Sequence, residues 1–121
     1  MARIFHLARK STLALRQRKA FLLGRLDVPA DLLRASVVER FSQCGKAHCQ
    51  CHQGGAKHGP FYYLTQCLAV GHINKFLLKT PDQEQSARAG VEHFRALQEQ
   101  LEELSQINTE LLWRGERLLD E

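Results

Sequence analysis

The chain has 121 residues, 44% of them hydrophobic and 25% charged, with 17 lysines and arginines against 13 aspartates and glutamates for a net charge of +4. That length suits a single domain spanning 1–121, close to the lower limit for a self-sufficient core, where a metal staple adds useful stability. No apolar run approaches the roughly 18 residues of a membrane span, the opening MARIFHLARK lacks the apolar stretch of a secretory leader, and the expected compartment is the cytoplasm, where crowded cysteines point to a metal before disulfides.

Charge is unevenly spread. Residues 82–121 hold ten acids against four arginines, whereas residues 1–81 hold thirteen bases and three acids. A basic body beside an acidic helix suits contact with a polyanion, although mutual neutralisation within the chain explains the same split.

Taken in order, residues 4–26 read as a basic amphipathic helix. Leu15, Leu22 and Leu26 form one stripe that Leu7 and Ala8 extend, and Asp27-Val28-Pro29 closes it because proline disfavours helical geometry in the preceding residue. Residues 36–80 read as a three-stranded antiparallel meander. Ser36–Phe41, Phe61–Ala69 and Ile73–Lys79 have the β-branched and aromatic content of strands, and three strands need a helix over one face. Thr80-Pro81 is a helix-start signal, and Phe94, Leu97, Leu101, Leu104, Ile107, Leu111 and Leu118 repeat at threes and fours. Residues 82–119 therefore read as one long, coiled-coil-like helix of roughly 55 Å, paired antiparallel with the shorter first helix. Asn108, beside the apolar stripe, either fixes the register of that pairing or faces solvent. The fold class expected is α+β.

The segment Cys44-x4-Cys49-x-Cys51-x6-His58 joins the first two strands and concentrates four metal-ligand side chains among Gly45, Gly54, Gly55 and Gly59. Zn2+ takes four such ligands in a tetrahedron, so Cys44, Cys49, Cys51 and His58 are the candidate set. Cys67 would complete an all-thiolate alternative but sits mid-strand, where a buried apolar thiol is expected. His48 and His52 read as solvent-facing, and His6, His72 and His93 have no partner within sequence reach. Residues 45–60 contain no Asp or Glu. A catalytic zinc needs an open position and a nearby acid or base, so the expected zinc is structural and the protein not an enzyme.

Lys46, His48, His52, Lys57, Phe61, Tyr62 and Tyr63 surround or follow this loop, a mixture of cations and π-faces suited to phosphates and bases, with strand alternation sending Phe61 or Tyr62 to the core. Arg9, Lys10, Arg16, Lys19, Lys46 and Lys57 are the candidate phosphate contacts, and Tyr62 and Tyr63 the candidate stacking residues. At the other end, Leu111, Trp113 and Leu118 lie where the long helix overruns the short one, which predicts a homodimer or a complex with a protein partner through them.

Ser36-Val-Val-Glu-Arg-Phe-Ser-Gln-Cys44-Gly-Lys-Ala-His-Cys49-Gln-Cys51, His58-Gly-Pro-Phe-Tyr-Tyr-Leu64 and Leu104-Ser-Gln-Ile-Asn-Thr-Glu-Leu-Leu112 together resemble a family of small uncharacterised prokaryotic proteins. Its members share an S-L-V-E-R-Y-type strand, a C-G-K-x-x-C-x-C zinc knuckle and an H-G-P-Y-x-Y-L strand, and are often associated with mobile elements. The resemblance implies the Cys44, Cys49, Cys51 and His58 metal set, which leaves Cys67 outside, and a DNA or RNA context with a transposase-like partner. Ala69-Val70-Gly71-His72 departs from the family's basic Gly-Lys turn. The function expected is a zinc-stabilised nucleic-acid-binding accessory or regulatory protein; a protein-interaction adaptor acting through the long helix is the alternative.

Overall fold

The computed structural model describes residues 3–119. It is an α+β chain of helix α1 (Thr12–Arg25), strands β1 (Ser36–Ser42), β2 (His58–Ala69) and β3 (His72–Leu77), and helix α2 (Pro81–Trp113), with one 3-10 turn at Gln50–His52. The chain divides into two compact units, one of the residues up to Ala30 and from Phe94 on, the other Asp31–His93.

In the first unit, α1 starts at Thr12 and not near Ile4. Ser11 caps it, its hydroxyl accepting the Ala14 N–H at 3.1 Å. The preceding segment satisfies its backbone through side chains instead of helical bonds. The Arg114 guanidinium donates to the carbonyls of Leu7, Ala8 and Lys10 at 3.3, 3.3 and 2.7 Å, and the Gln106 amide accepts from Phe5 N and donates to Arg3 O. Leu7 still reaches the core, but from an irregular segment. It is buried with Leu15, Leu22, Ile107 and Leu111, and Phe5, Leu104 and Leu118 pack around them.

At its other end α2 stops at Trp113, short of the expected 119. Gly115 takes φ 77°, its N–H donates to Leu112 O at 3.0 Å, and the Glu116 N–H donates to Leu111 O at 2.8 Å. This Schellman closure needs a left-handed residue, which glycine adopts without a Cβ penalty. The assembly expectation changes with it. Leu111 is completely buried in its own unit and Leu118 packs on that core, so of the three proposed interface residues only Trp113, 86% exposed, faces solvent. Asn108 is half-buried, and no partner among the described residues reaches its Oδ1.

Ion pairs hold the same unit. Arg18 meets Glu103 through two bonds of 2.6 and 2.9 Å, Arg16 reaches Glu116 at 3.5 Å and the Arg117 carbonyl at 2.8 Å, and Lys19 donates to the Leu118 carbonyl. Glu103 is 9% exposed, and its bonds to Arg18 hold its carboxyl below the usual range.

In the second unit the strands run antiparallel in the order β1-β2-β3. Opposed residues share a face, so the register Val37↔Leu64↔Phe76 puts these three on one side together with Glu39↔Tyr62 and Gln66↔Asn74. This side meets the first turns of α2: Leu64 is buried with Ala87 and Val91, and Leu33, Ala35, Val37 and Leu78 pack on them. Thr80 caps α2, its hydroxyl accepting the Gln83 N–H at 3.1 Å, while the Gln83 side chain accepts from Lys79 N at 2.7 Å. Gly90 lets the Asp31–Leu33 segment lie against the helix. Leu33 N donates to Gly90 O at 3.1 Å, and a Cβ at Gly90 would overlap the Asp31 carbonyl oxygen and stand 2.9 Å from Leu33 Cδ1. His93 Nδ1 lies 2.7 Å from Asp31 Oδ1, a partner 62 residues away in sequence.

Candidate metal centre

The loop between β1 and β2 brings Cys44, Cys49 and Cys51 together with His58, the first residue of β2. Their ligand atoms all lie within 4.8 Å of one another, so the cluster can hold a metal ion. Backbone hydrogen bonds shape it: Cys49 N donates to Lys46 O at 3.0 Å, His52 N to Cys49 O at 3.0 Å, and Gly55 N to Gln50 O at 2.7 Å. Gly55 is needed for that last approach, since a Cβ there would stand 2.6 Å from the Gln50 oxygen. Gly59, at φ 141°, carries the chain from the loop into β2 beside the Arg40 carbonyl.

Cys44 Sγ and Cys51 Sγ are 3.6 Å apart, and Cys49 Sγ lies 3.4 Å from His58 Nε2. With zinc–sulfur and zinc–nitrogen bonds of the usual length, the edges of a tetrahedron are about 3.8 Å between sulfurs and about 3.6 Å between sulfur and nitrogen. Both measured separations are close to these edges and far beyond the roughly 2.05 Å of a disulfide. All four cysteines are free thiols.

The electrostatics favour a thiolate at one position and resist it at another. The Cys51 N–H and the His58 ring direct hydrogen bonds at Cys49, lowering its thiol to about 6, while burial pushes the Cys51 thiol up. A cation at the centre relieves that opposition by stabilising every thiolate. Outside the ligand atoms, Gln43 Nε2 donates to Cys51 O at 2.9 Å and His52 Nε2 to Cys44 O at 2.6 Å. His52 is exposed, as expected, yet braces the loop through its ring. Cys67 differs from expectation in being exposed, with its Sγ turned toward the Ala69 carbonyl and outside the cluster. The buried-thiol expectation fails because position 67 falls on the sheet face away from α2.

The candidate nucleic-acid residues divide three ways. Arg16 and Lys19 are bonded within their own unit. Arg9, Lys10, Lys46 and Lys57 are exposed. Tyr62 lies on the side that meets α2, with Arg88 of that helix over its ring at 5.1 Å, whereas Tyr63 lies on the opposite face with Lys75 at 4.7 Å. The residue that shares a face with Tyr63 is Phe61, two positions earlier on β2. Strand alternation announced such a split; which tyrosine turned inward depended on the Leu64 contact with α2.

Residues 13–66, a little under half of the chain, match the family model of a domain of unknown function, DUF6788. The match contains α1 from its second residue on, β1, the four candidate ligands and the first part of β2. No curated protein and no solved structure matches the chain. Among the described residues no helix is long and apolar enough to cross a membrane.

Proposed function

We propose that the chain is a zinc-stabilised, non-catalytic nucleic-acid-binding protein, with a zinc knuckle set in its β-meander and α1 packed antiparallel against α2. Zinc is favoured over other ions by the donor set, since three thiolates and one imidazole in a closed tetrahedron suit a structural site. The observation that carries the nucleic-acid reading is the charge of residues 36–79. Arg40, Lys46, Lys57, Lys75 and Lys79 stand there against Glu39 alone, and none of the five makes an ion pair among the described residues. The acids of α2 are instead drawn to α1 and to arginines of α2 itself, as in Arg18–Glu103, Arg88–Glu84 and Arg114–Glu110. The basic surface left for a polyanion is therefore centred on the sheet and its metal loop, with α1 contributing less than the raw charge count suggests.

The test is direct. Purified protein should carry about one zinc per chain, and its affinity for DNA or RNA should fall about linearly on a log–log plot as salt rises, with a slope near −0.9 per phosphate contact on duplex or about −0.7 on single strands. Zinc-loaded protein with no measurable affinity for either nucleic acid would overturn this reading. The adaptor reading has one observation in its favour, the exposed pair Leu112 and Trp113 at the end of α2. It predicts a partner whose binding is lost in Trp113→Ser and unaffected by salt.

A further inference from the structure

Strand register separates the ten residues of the sheet's other face from those that meet α2, and none of the ten is buried. Phe61 and Tyr63 occupy it on the central strand, with Arg40 opposite Phe61 on one edge strand and Lys75 on the other, its Nζ 4.7 Å from the Tyr63 ring. Val38 and Leu77 flank Tyr63, and no carboxylate lies on this face, because Glu39 is paired with Tyr62 on the side that meets α2. Beyond Phe61 and Leu77 the face runs out at a cleft of about 360 Å³ that Lys79 and the Arg88-paired Glu84 also line. Two aromatic rings in a row on a middle strand, with a cation to each side and no acid, is a surface that an acidic protein would use only in part. Bases use all of it.

We infer that this open face binds single-stranded nucleic acid, with bases stacking on Phe61 and Tyr63 and phosphates meeting Arg40 and Lys75. The inference rests on the nucleic-acid reading above and specifies which form is bound and where. Positions i and i+2 of a strand project to the same side roughly 6.5–7 Å apart, so two successive splayed bases reach the two rings. A duplex keeps its base faces stacked inside and offers the rings nothing, whereas an unpaired strand exposes them. Lys75 has a flexible four-carbon side chain, and a base arriving on Tyr63 displaces its ammonium from the ring toward the adjoining phosphate.

Fluorescence anisotropy with labelled oligothymidylate, oligouridylate and a duplex of equal length distinguishes the outcomes. Single strands should bind more tightly than duplex; comparison of the first two assigns DNA or RNA. Phe61→Leu and Tyr63→Leu keep apolar volume and remove the π-face, so each should weaken single-strand binding by about five- to 150-fold, while Tyr63→Phe should retain it. Arg40→Gln with Lys75→Gln should reduce the salt slope on single strands by about 1.4. Zinc content and circular dichroism report whether each variant is folded. Independently of any variant, photocrosslinking of wild-type protein to an iodouracil-substituted strand should label the peptide containing Phe61 and Tyr63. Binding of duplex equal to single strand, wild-type affinity in both leucine variants, or crosslinks confined to other peptides would overturn the inference and leave the general reading standing. Failure of all three probes to bind would overturn both.

Discussion

Cys51 is the most enclosed of the four clustered ligands, and that burial separates it from the exposed Cys67 by more than sequence spacing does. Cys51→Ser should abolish stoichiometric zinc in elemental analysis, as should Cys44→Ser, Cys49→Ser and His58→Ala, whereas Cys67→Ser should keep one zinc per chain. Zinc loss in Cys67→Ser with retention in His58→Ala would exchange the ligand set for the all-cysteine one. Glycines carry equally specific expectations. Gly90→Ala places a methyl group against the Asp31 carbonyl oxygen, which is backbone and yields only if the 31–33 segment moves. The better helix propensity of alanine, about 1 kcal/mol, should be outweighed by overpacking of about 1–3 kcal/mol, lowering the melting temperature.

Glu103 adds a pH signature. Its carboxyl is held low in the folded chain by Arg18, so its contribution is full above the unfolded glutamate value of about 4.3 and disappears as pH falls through the lower folded value. Glu103→Gln should therefore flatten the acid limb of the stability profile below about pH 4.3, read by thermal melts across pH. Unchanged acid sensitivity in that variant would place the titration elsewhere.

Among the elements, both helix ends that differ from the sequence reading had a visible cause. Ser11 is a good cap, but Leu7 continues the apolar stripe one turn further, and periodicity alone cannot tell a helical leucine from one delivered by an irregular segment. What fixes that segment is the Arg114 guanidinium, a contact across more than a hundred residues. Gly115 is equally visible in the sequence, yet Leu118 continues the helical spacing because it returns to the same core after the chain has turned. The capped start of α2, the three strands and the metal quartet were legible since each depends on neighbours close in sequence. The partition of Phe61, Tyr62 and Tyr63 between faces was not, because it requires knowing that Leu64 meets Ala87 and Val91.

These local causes can be measured. Ser11→Ala should cost about 1 kcal/mol by loss of its cap, and Gly115→Ala a similar amount for the left-handed backbone it must keep. Chelation tests the metal loop as an element: amide exchange should accelerate through residues 43–58 and the strands they join, while residues 12–25 and 104–113 stay protected by their separate core. Uniform deprotection of both regions would show that the metal's influence extends through the whole chain.

For the whole molecule, the distribution of charge matters more than its total. The net +4 is compatible with a polyanion site on α1, on the sheet or on neither, and under the proposed function pairing favours the sheet over α1. Arg16, Arg18 and Lys19 spend their donors on Glu116, Glu103 and carbonyls at the end of the chain. Reversing Arg16 and Lys19 to Glu should consequently act first on stability, by breaking part-buried contacts and setting carboxylates beside Glu116 and the carbonyl oxygens, with little change in salt slope once the protein is folded. Reversing Lys46 and Lys57 should do the opposite. Both are exposed and unpaired among the described residues, so their loss leaves the melting temperature nearly unchanged and removes two phosphate contacts, lowering the slope by about 1.8 on duplex or about 1.4 on single strands. Thermal melts and salt titrations on the two double variants supply the comparison. A slope that falls in Arg16→Glu/Lys19→Glu but not in Lys46→Glu/Lys57→Glu would return the polyanion site to α1, and with it the simpler view that charge count alone locates the binding surface.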